Sequence, residues 1–380
     1  MSDSDVGSTG SPNEAEQRAW EVVKRAYDER TPQRRRGPTL RLAVGVAIVT
    51  LGVAAAAIAS PPGQAVFEKV REAVGVQHAE PALFSLPSPG RLLVVSAGHG
   101  GVWLVHANGF KRRIGSYDDA QWSPHGLYLV ATTDTALVAL DADGNVHWSL
   151  ARRRPSLPRW EGTRTDTRIA YFAASGLRVV AGDGTGDRLL AAHASAVPAA
   201  WEPGRLHTLA YVSRGAVVLR NVDTGSVVWR APLGIVPAAL AWSTDGKLLA
   251  VRSDKRIVVV EANGRTRRVI STLGSHFSGT AFEPGTHRLA ATMRLRGRSE
   301  VRLFDIDHPG TARLLFAGPG VFGGIVWSPD HRWLLVAWPT ADQWVFLHGS
   351  RVRAVANIRA QFPRADQLGP TLAVDERWCC

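Results

Sequence analysis

The stretch "LAWSTDGKLLAV", Leu240 to Val251, decides the fold. A short apolar run ending on Trp242 meets a Ser-Thr-Asp-Gly turn and then a second apolar run, the pattern of two strands joined by a tight return. In such a turn Asp245 accepts local backbone hydrogen bonds and Gly246 takes the positive φ that the return needs. The pattern recurs as "QWSPHGLYLVAT" from Gln121, "RWEGTRTDTRIAYF" from Arg159, "AWEPGRLHTLAYV" from Ala200, "AFEPGTHRLAAT" from Ala281 and "VWSPDHRWLLVAW" from Val326, with a weaker copy, "LFSLPSPGRLLVVS", from Leu83. The repeated aromatics are Phe84, Trp122, Trp160, Trp201, Trp242, Phe282 and Trp327, separated by 38, 38, 41, 41, 40 and 45 residues.

Each copy is followed by a β-rich run ending in a turn, such as "ALVALDADG", "AVVLRNVDTG" or "RIVVVEANG", and then by one more strand. Four short strands in roughly forty residues is the content of a propeller blade. One such sheet cannot bury both faces alone, so neighbouring blades must stack, with the aromatics and the Leu, Ile and Val positions between them. The expected fold class is therefore all-β, a β-propeller of about seven four-stranded blades over residues 81–360, followed by a tail, 361–380, in which "PTLAV" near Leu372 is a candidate to help close the ring.

The turn in "WSTDGKLLA" and "WSPDHRWLL" resembles the WD40-like propeller repeats of TolB-type and related bacterial proteins, here in a membrane-anchored, actinobacterial-like form. The resemblance covers about residues 82–358 and departs from the tidier pattern at the Trp160 unit, which lacks Ser-Pro-Asp-Gly, and at the Phe84 unit. It implies an architecture and no particular activity, because propellers host many unrelated functions.

Residues 42–60 read as a single transmembrane helix. Leu42 to Ala59, "LAVGVAIVTLGVAAAAIA", is eighteen residues without a charge, about 27 Å as a helix. Arg34, Arg35, Arg36 and Arg41 in the basic segment 31–41 place the N-terminus in the cytoplasm and everything after the span outside. A cleaved signal peptide is the rival reading, against which stand the long polar leader and the long apolar core. Residues 61–80 form a stalk or linker with a short amphipathic helix. Ahead of the span, a polar leader (1–12) precedes "NEAEQRAWEVVKRAYDER" (13–30), where Asn13 and Glu16 match a capping box and Trp20, Val23 and Tyr27 recur at helical spacing. This cytoplasmic amphipathic helix offers an aromatic stripe to a protein partner or to the inner leaflet.

The net charge of +12 resides in the propeller: residues 81–380 hold 35 basic and 23 acidic groups. Outside the membrane the matching anions are lipid head groups or anionic envelope polymers rather than nucleic acid. The basic clusters are Lys111–Arg113, Arg152–Arg154, Arg265–Arg268 and Arg294–Arg298, all near turns or outer strands. The only two cysteines, Cys379 and Cys380, are adjacent at the end of the chain, so neither a disulfide framework nor a Cys-x-x-Cys zinc site is available. The plain reading is an unpaired tail, the other a cross-link between chains.

Other motifs dissolve in the repeat. "DADGN" from Asp141 resembles a calcium loop but occupies the same turn as "HANG" and "EANG", and Arg152 stands where the closing glutamate belongs. "GDGTGD" from Gly182 lacks the Lys-Ser/Thr of a phosphate loop. No catalytic, cofactor or metal residue is assigned. Two functions remain: a membrane-anchored, extracytoplasmic interaction or ligand-sensing module with an anti-sigma-like layout, or an enzyme or small-ligand binder with its site in the central channel.

Overall fold

In the computed structural model Leu240 to Val251 supplies the first two strands of a blade, Ala239–Trp242 and Leu248–Arg252, with Trp242 opposite Leu249. Arg256–Glu261 and Thr266–Ser271 complete it as third and fourth antiparallel strands. The structure describes residues 79–96, 101–163, 165–310, 312–362 and 375–379, and these form seven four-stranded sheets. The second and third strands are buried on both faces, as in Leu248–Val251 and Ile257–Val260, because each sheet is sandwiched between two neighbours. That is why these strands read as unbroken Val, Leu and Ile runs rather than as alternating ones.

The first strands of neighbouring blades touch and so line the axis. Those of blades 2 to 7 are Asp119–Trp122, Ser156–Trp160, Ala200–Trp201, Ala239–Trp242, Ser275–Phe282 and Ile325–Trp327. All six end on a repeated aromatic. Phe84 does not follow: it lies outside any strand and is 64% exposed. The first strand of blade 1 comes instead from the far end of the chain, where Asp375–Cys379 pairs antiparallel with Arg91–Ser96. The closing strand thus lies just beyond "PTLAV", within the segment read as a tail. Cys379 sits in that strand, disulfide-bonded rather than unpaired; Cys380 lies outside the described residues.

Two belts of hydrogen bonds join the blades. On the inside, Nε1 of Trp201, Trp242 and Trp327 donates to the carbonyls of Arg159, Ala200 and Ala281, each the residue before the preceding blade's aromatic, at 2.8, 3.2 and 3.4 Å. The Arg91 guanidinium stacks 4.7 Å from the Trp122 ring centroid. On the outside, Trp148 and Trp229 donate to Gly182 and Ala262 in the next blade's last turn at 3.0 and 2.8 Å, and Arg112, Arg188 and Arg268 do the same to Ala142, Val222 and Asp305. Each such bond adds about 1 kcal/mol net. One arginine of the Lys111–Arg113 cluster and one of the Arg265–Arg268 cluster are thereby committed to holding blades together.

The segments 1–12, 13–30, 31–41 and 42–60, including Trp20, Val23 and Tyr27, lie outside the described residues. Among the described residues no helix is long and apolar enough to cross a membrane.

Histidines bridge the blades through carboxylates. His287 Nε2 lies 3.0 Å from Asp245 and Nδ1 lies 2.6 Å from Asp307. Burial acts to lower the imidazole pKa, but the hydrogen bonds to Asp245 and Asp307 outweigh it and the pKa is raised. Its stabilisation is therefore complete below the ordinary histidine value and is lost as pH rises through the raised folded value. The loss of melting temperature on His287→Gln is expected to be larger at about pH 5.5 than at about pH 9; a loss independent of pH would show that the bridge carries no proton.

Candidate ligand-binding site on the upper face

Antiparallel order fixes two faces. The turns between strands one and two and between three and four lie at the lower face; the turns between two and three and the blade-to-blade connections lie at the upper.

The lower-face turns at Asp141, Asp183 and Asp245 satisfy themselves. Asp141 accepts the amides of Asp143 and Asn145 at 2.8 and 2.9 Å and the Asn145 side chain at 2.9 Å, so the oxygens a calcium ion would need are occupied. Asp183 accepts the amide and hydroxyl of Thr185 at 2.9 and 2.7 Å. Partial burial acts to raise the Asp245 pKa, but bonds from Ser243, His287 and Lys247 hold it far below the usual carboxylate range. These are the groups of a turn already closed. Among the described residues no three His, Cys, Asp or Glu side chains gather as a metal site.

The upper face departs from the repeat at blade 6. Its first three strands, Ser275–Phe282, Arg288–Leu295 and Arg298–Asp305, have eight residues each, against five and six in the second and third strands of blade 5. Aligned on their lower ends, the blade 6 hairpin, Arg288–Asp305, is four residues longer than Leu248–Glu261 of blade 5 and so rises two residues above it, about 7 Å. A cavity of about 490 Å³ opens beside it, lined by Asp254 of blade 5, by His276, Phe277, Arg294 and Arg296 of blade 6, and by Val321 on the way to blade 7.

The walls are held from both sides. Phe277 N–H donates to the Asp254 carbonyl at 2.6 Å, and Arg252 donates to the Phe277 carbonyl at 3.0 Å. Ser278 donates to the Phe322 carbonyl at 2.9 Å and lies 2.8 Å from the Thr292 hydroxyl. Gly279 lets the chains approach this closely: a Cβ there would stand 2.9 Å from the Gly323 carbonyl oxygen. His276 faces Arg294 in the strand register, and its Nδ1 lies 2.9 and 3.0 Å from the two Asp254 oxygens. Arg294 and Arg296 are exposed and make no side-chain hydrogen bond or ion pair among the described residues. Two arginines with no ion-pair partner of their own, beside a partly apolar cavity that Asp254 also lines, give the mouth groups that can engage an anion.

The other basic clusters divide. Arg152 joins Arg178 and Tyr171 on the buried Asp187, and burial together with that carboxylate pushes the Tyr171 pKa up to about 12. Arg153 and Arg154 are exposed beside it. Of the repeated aromatics, Trp122, Trp160 and Phe282 are buried, while Trp201, Trp242 and Trp327 are partly so; none lines the cavity. His276, Asp254 and Phe277 were not foreseen. The sequence signal that exists is the 45-residue step from Phe282 to Trp327, the longest of the series.

No family model matches this chain, and no curated protein matches it. Among solved structures it is similar to Kuenenia stuttgartiensis hydrazine synthase (13% identity, 60% of this chain and 75% of that one, TM-score 0.47). It is also similar to KlHsv2 with loop 6CD replaced by a Gly-Ser linker (12%, 67% and 88%, TM-score 0.51) and to a chain of a mitotic checkpoint complex (14%, 72% and 93%, TM-score 0.51). At these identities the last two support the propeller fold alone.

The hairpin tip itself is strained. Arg296 and Gly297 form a two-residue turn with φ of 52° and 82°, and Arg214 and Gly215 form another with 51° and 72°. Such turns favour Asn-Gly, since a long side chain resists the left-handed region. Arg296→Asn is expected to stabilise the protein by up to about 1 kcal/mol in denaturant unfolding; a destabilised variant would mean that Arg296 serves the fold.

Proposed function

We propose that this protein is a WD40-like, TolB-type binding module that recognises an anionic component of the cell envelope through the upper edge of blades 5 to 7. The observation that carries the reading is the pair Arg294 and Arg296, with no ion-pair partner of their own and set beside a cavity by the hairpin that breaks the repeat. Lys255 and Arg256, exposed on the upper end of blade 5, extend the positive field. The carboxylates Asp141, Asp183, Asp223, Asp245, Asp305 and Asp307 all belong to lower-face turns. In this reading the span at 42–59 holds the propeller outside the membrane, and the helix bearing Trp20, Val23 and Tyr27 meets a cytoplasmic regulator.

One measurement addresses both the face and the topology. Fluorescent polyphosphate added to intact spheroplasts that express the full-length chain should label them, with a strong dependence on salt. The doubly reversed variant, Arg294→Glu with Arg296→Glu, should lose most of that label. Labelling that appears only after the membrane is permeabilised would overturn the topology. Labelling untouched by the double reversal would overturn the assignment of the face.

A further inference from the structure

We infer that the cavity beside the blade 6 hairpin takes a hydroxylated phosphate unit of the glycerol phosphate type, and not merely a diffuse negative charge; this rests on the reading of the upper face as an anion site. The cations are paired in space by the hairpin. Arg294 lies one residue before the end of the second strand and Arg296 opens the turn above it, and both line one mouth. A tetrahedral phosphate offers enough acceptor oxygens to engage both, where a single carboxylate is filled by one fork.

Beneath them, His276 supplies a different chemistry. Its Nδ1 lies within hydrogen-bond reach of both oxygens of Asp254, which places a proton on Nδ1; in the Nδ1–H tautomer Nε2 is then an acceptor. Nε2 has no partner among the described residues. An acceptor beside two cations suits a ligand that carries its negative charge and a hydroxyl donor a few ångströms apart. Phe277 and Val321 give the cavity an apolar wall for the carbon stem between them. The cavity, about 490 Å³, has room for one such unit.

A phosphate bearing neighbouring hydroxyls occurs in polyol phosphate polymers, in phosphatidylglycerol head groups and as a free metabolite. The chemistry that recognises it is the same in all three.

The test is calorimetric titration of the purified full-length chain in detergent with glycerol 3-phosphate, with inorganic phosphate, and with glycerol alone. Expected are saturable 1:1 binding of glycerol 3-phosphate, weaker binding of phosphate and none of glycerol. Arg294→Lys and Arg296→Ala should each weaken glycerol 3-phosphate by about tenfold or more. His276→Gln should erase the preference for glycerol 3-phosphate while leaving phosphate within about twofold. Unchanged melting temperatures establish that the variants are folded. Vesicles of phosphatidylglycerol that compete with glycerol 3-phosphate identify the lipid as the source; a soluble polyglycerol phosphate that competes when vesicles do not identifies the polymer. Equal affinity for phosphate and glycerol 3-phosphate, or affinities indifferent to Arg294 and His276, would overturn the inference. If glycerol 3-phosphate fails to bind while polyphosphate still labels spheroplasts through Arg294 and Arg296, the pocket assignment falls and the face stands; if both fail, both fall.

Discussion

A four-stranded sheet that is apolar on both faces has no stable life alone, and every other feature of this structure follows from that need for two neighbours. Leu249 and Val251 of blade 5 pack toward Ala210, Val217 and Leu219 of blade 4, while Leu248, Ala250 and Ile257 pack toward Phe282, Leu289 and Ala291 of blade 6. The row can end only by closing. Closure falls to Asp375–Cys379, which brings the two ends of the propeller segment into one sheet, so that the last strand completes the first blade. Gly90 marks how tight this join is: a Cβ there would meet the Cys379 carbonyl oxygen at 2.5 Å.

Stacking also decides which polar groups are free. At lower-face turns such as those of Asp141 and Asp245 the side chain caps its own backbone, and tryptophans and arginines of one blade reach the carbonyls of another. Residues with the look of a site, such as Asp141, Asp183 and Asp245, are spent on turns for this reason. Among the groups that the ring does not consume are those where one blade outgrows the others. There the register carries Arg294 and Arg296 beyond the reach of the inter-blade belts, and His276 comes opposite Arg294 because the first strand has lengthened as well.

The period of aromatics and turns made the blades legible, since stacking writes the same demand into each repeat. Six first strands end on Trp122, Trp160, Trp201, Trp242, Phe282 and Trp327. Phe84 was misleading because it precedes a genuine second strand, Arg91–Ser96, whose partner lies nearly three hundred residues away; the repeat's aromatic is there Trp378, opposite Leu92 as Trp242 is opposite Leu249, but without the turn that follows it elsewhere. The site was legible only in part. The Arg294–Arg298 cluster stands out in the sequence, but so do three others, and nothing local distinguishes an arginine that donates across blades from one that meets solvent. Asp254, His276 and Val321 come together through contacts among three blades, for which a single repeat has no pattern.

Recognition on this account belongs to the part of the ring that breaks the repeat, and the repeated turns are scaffold. Amide hydrogen exchange along the full-length chain, with and without bound polyphosphate, tests this most directly. Slowed exchange confined to residues 272–278 and 294–299 is the predicted result. Slowing centred on the turn 243–247 and its counterparts around the lower face would contradict it.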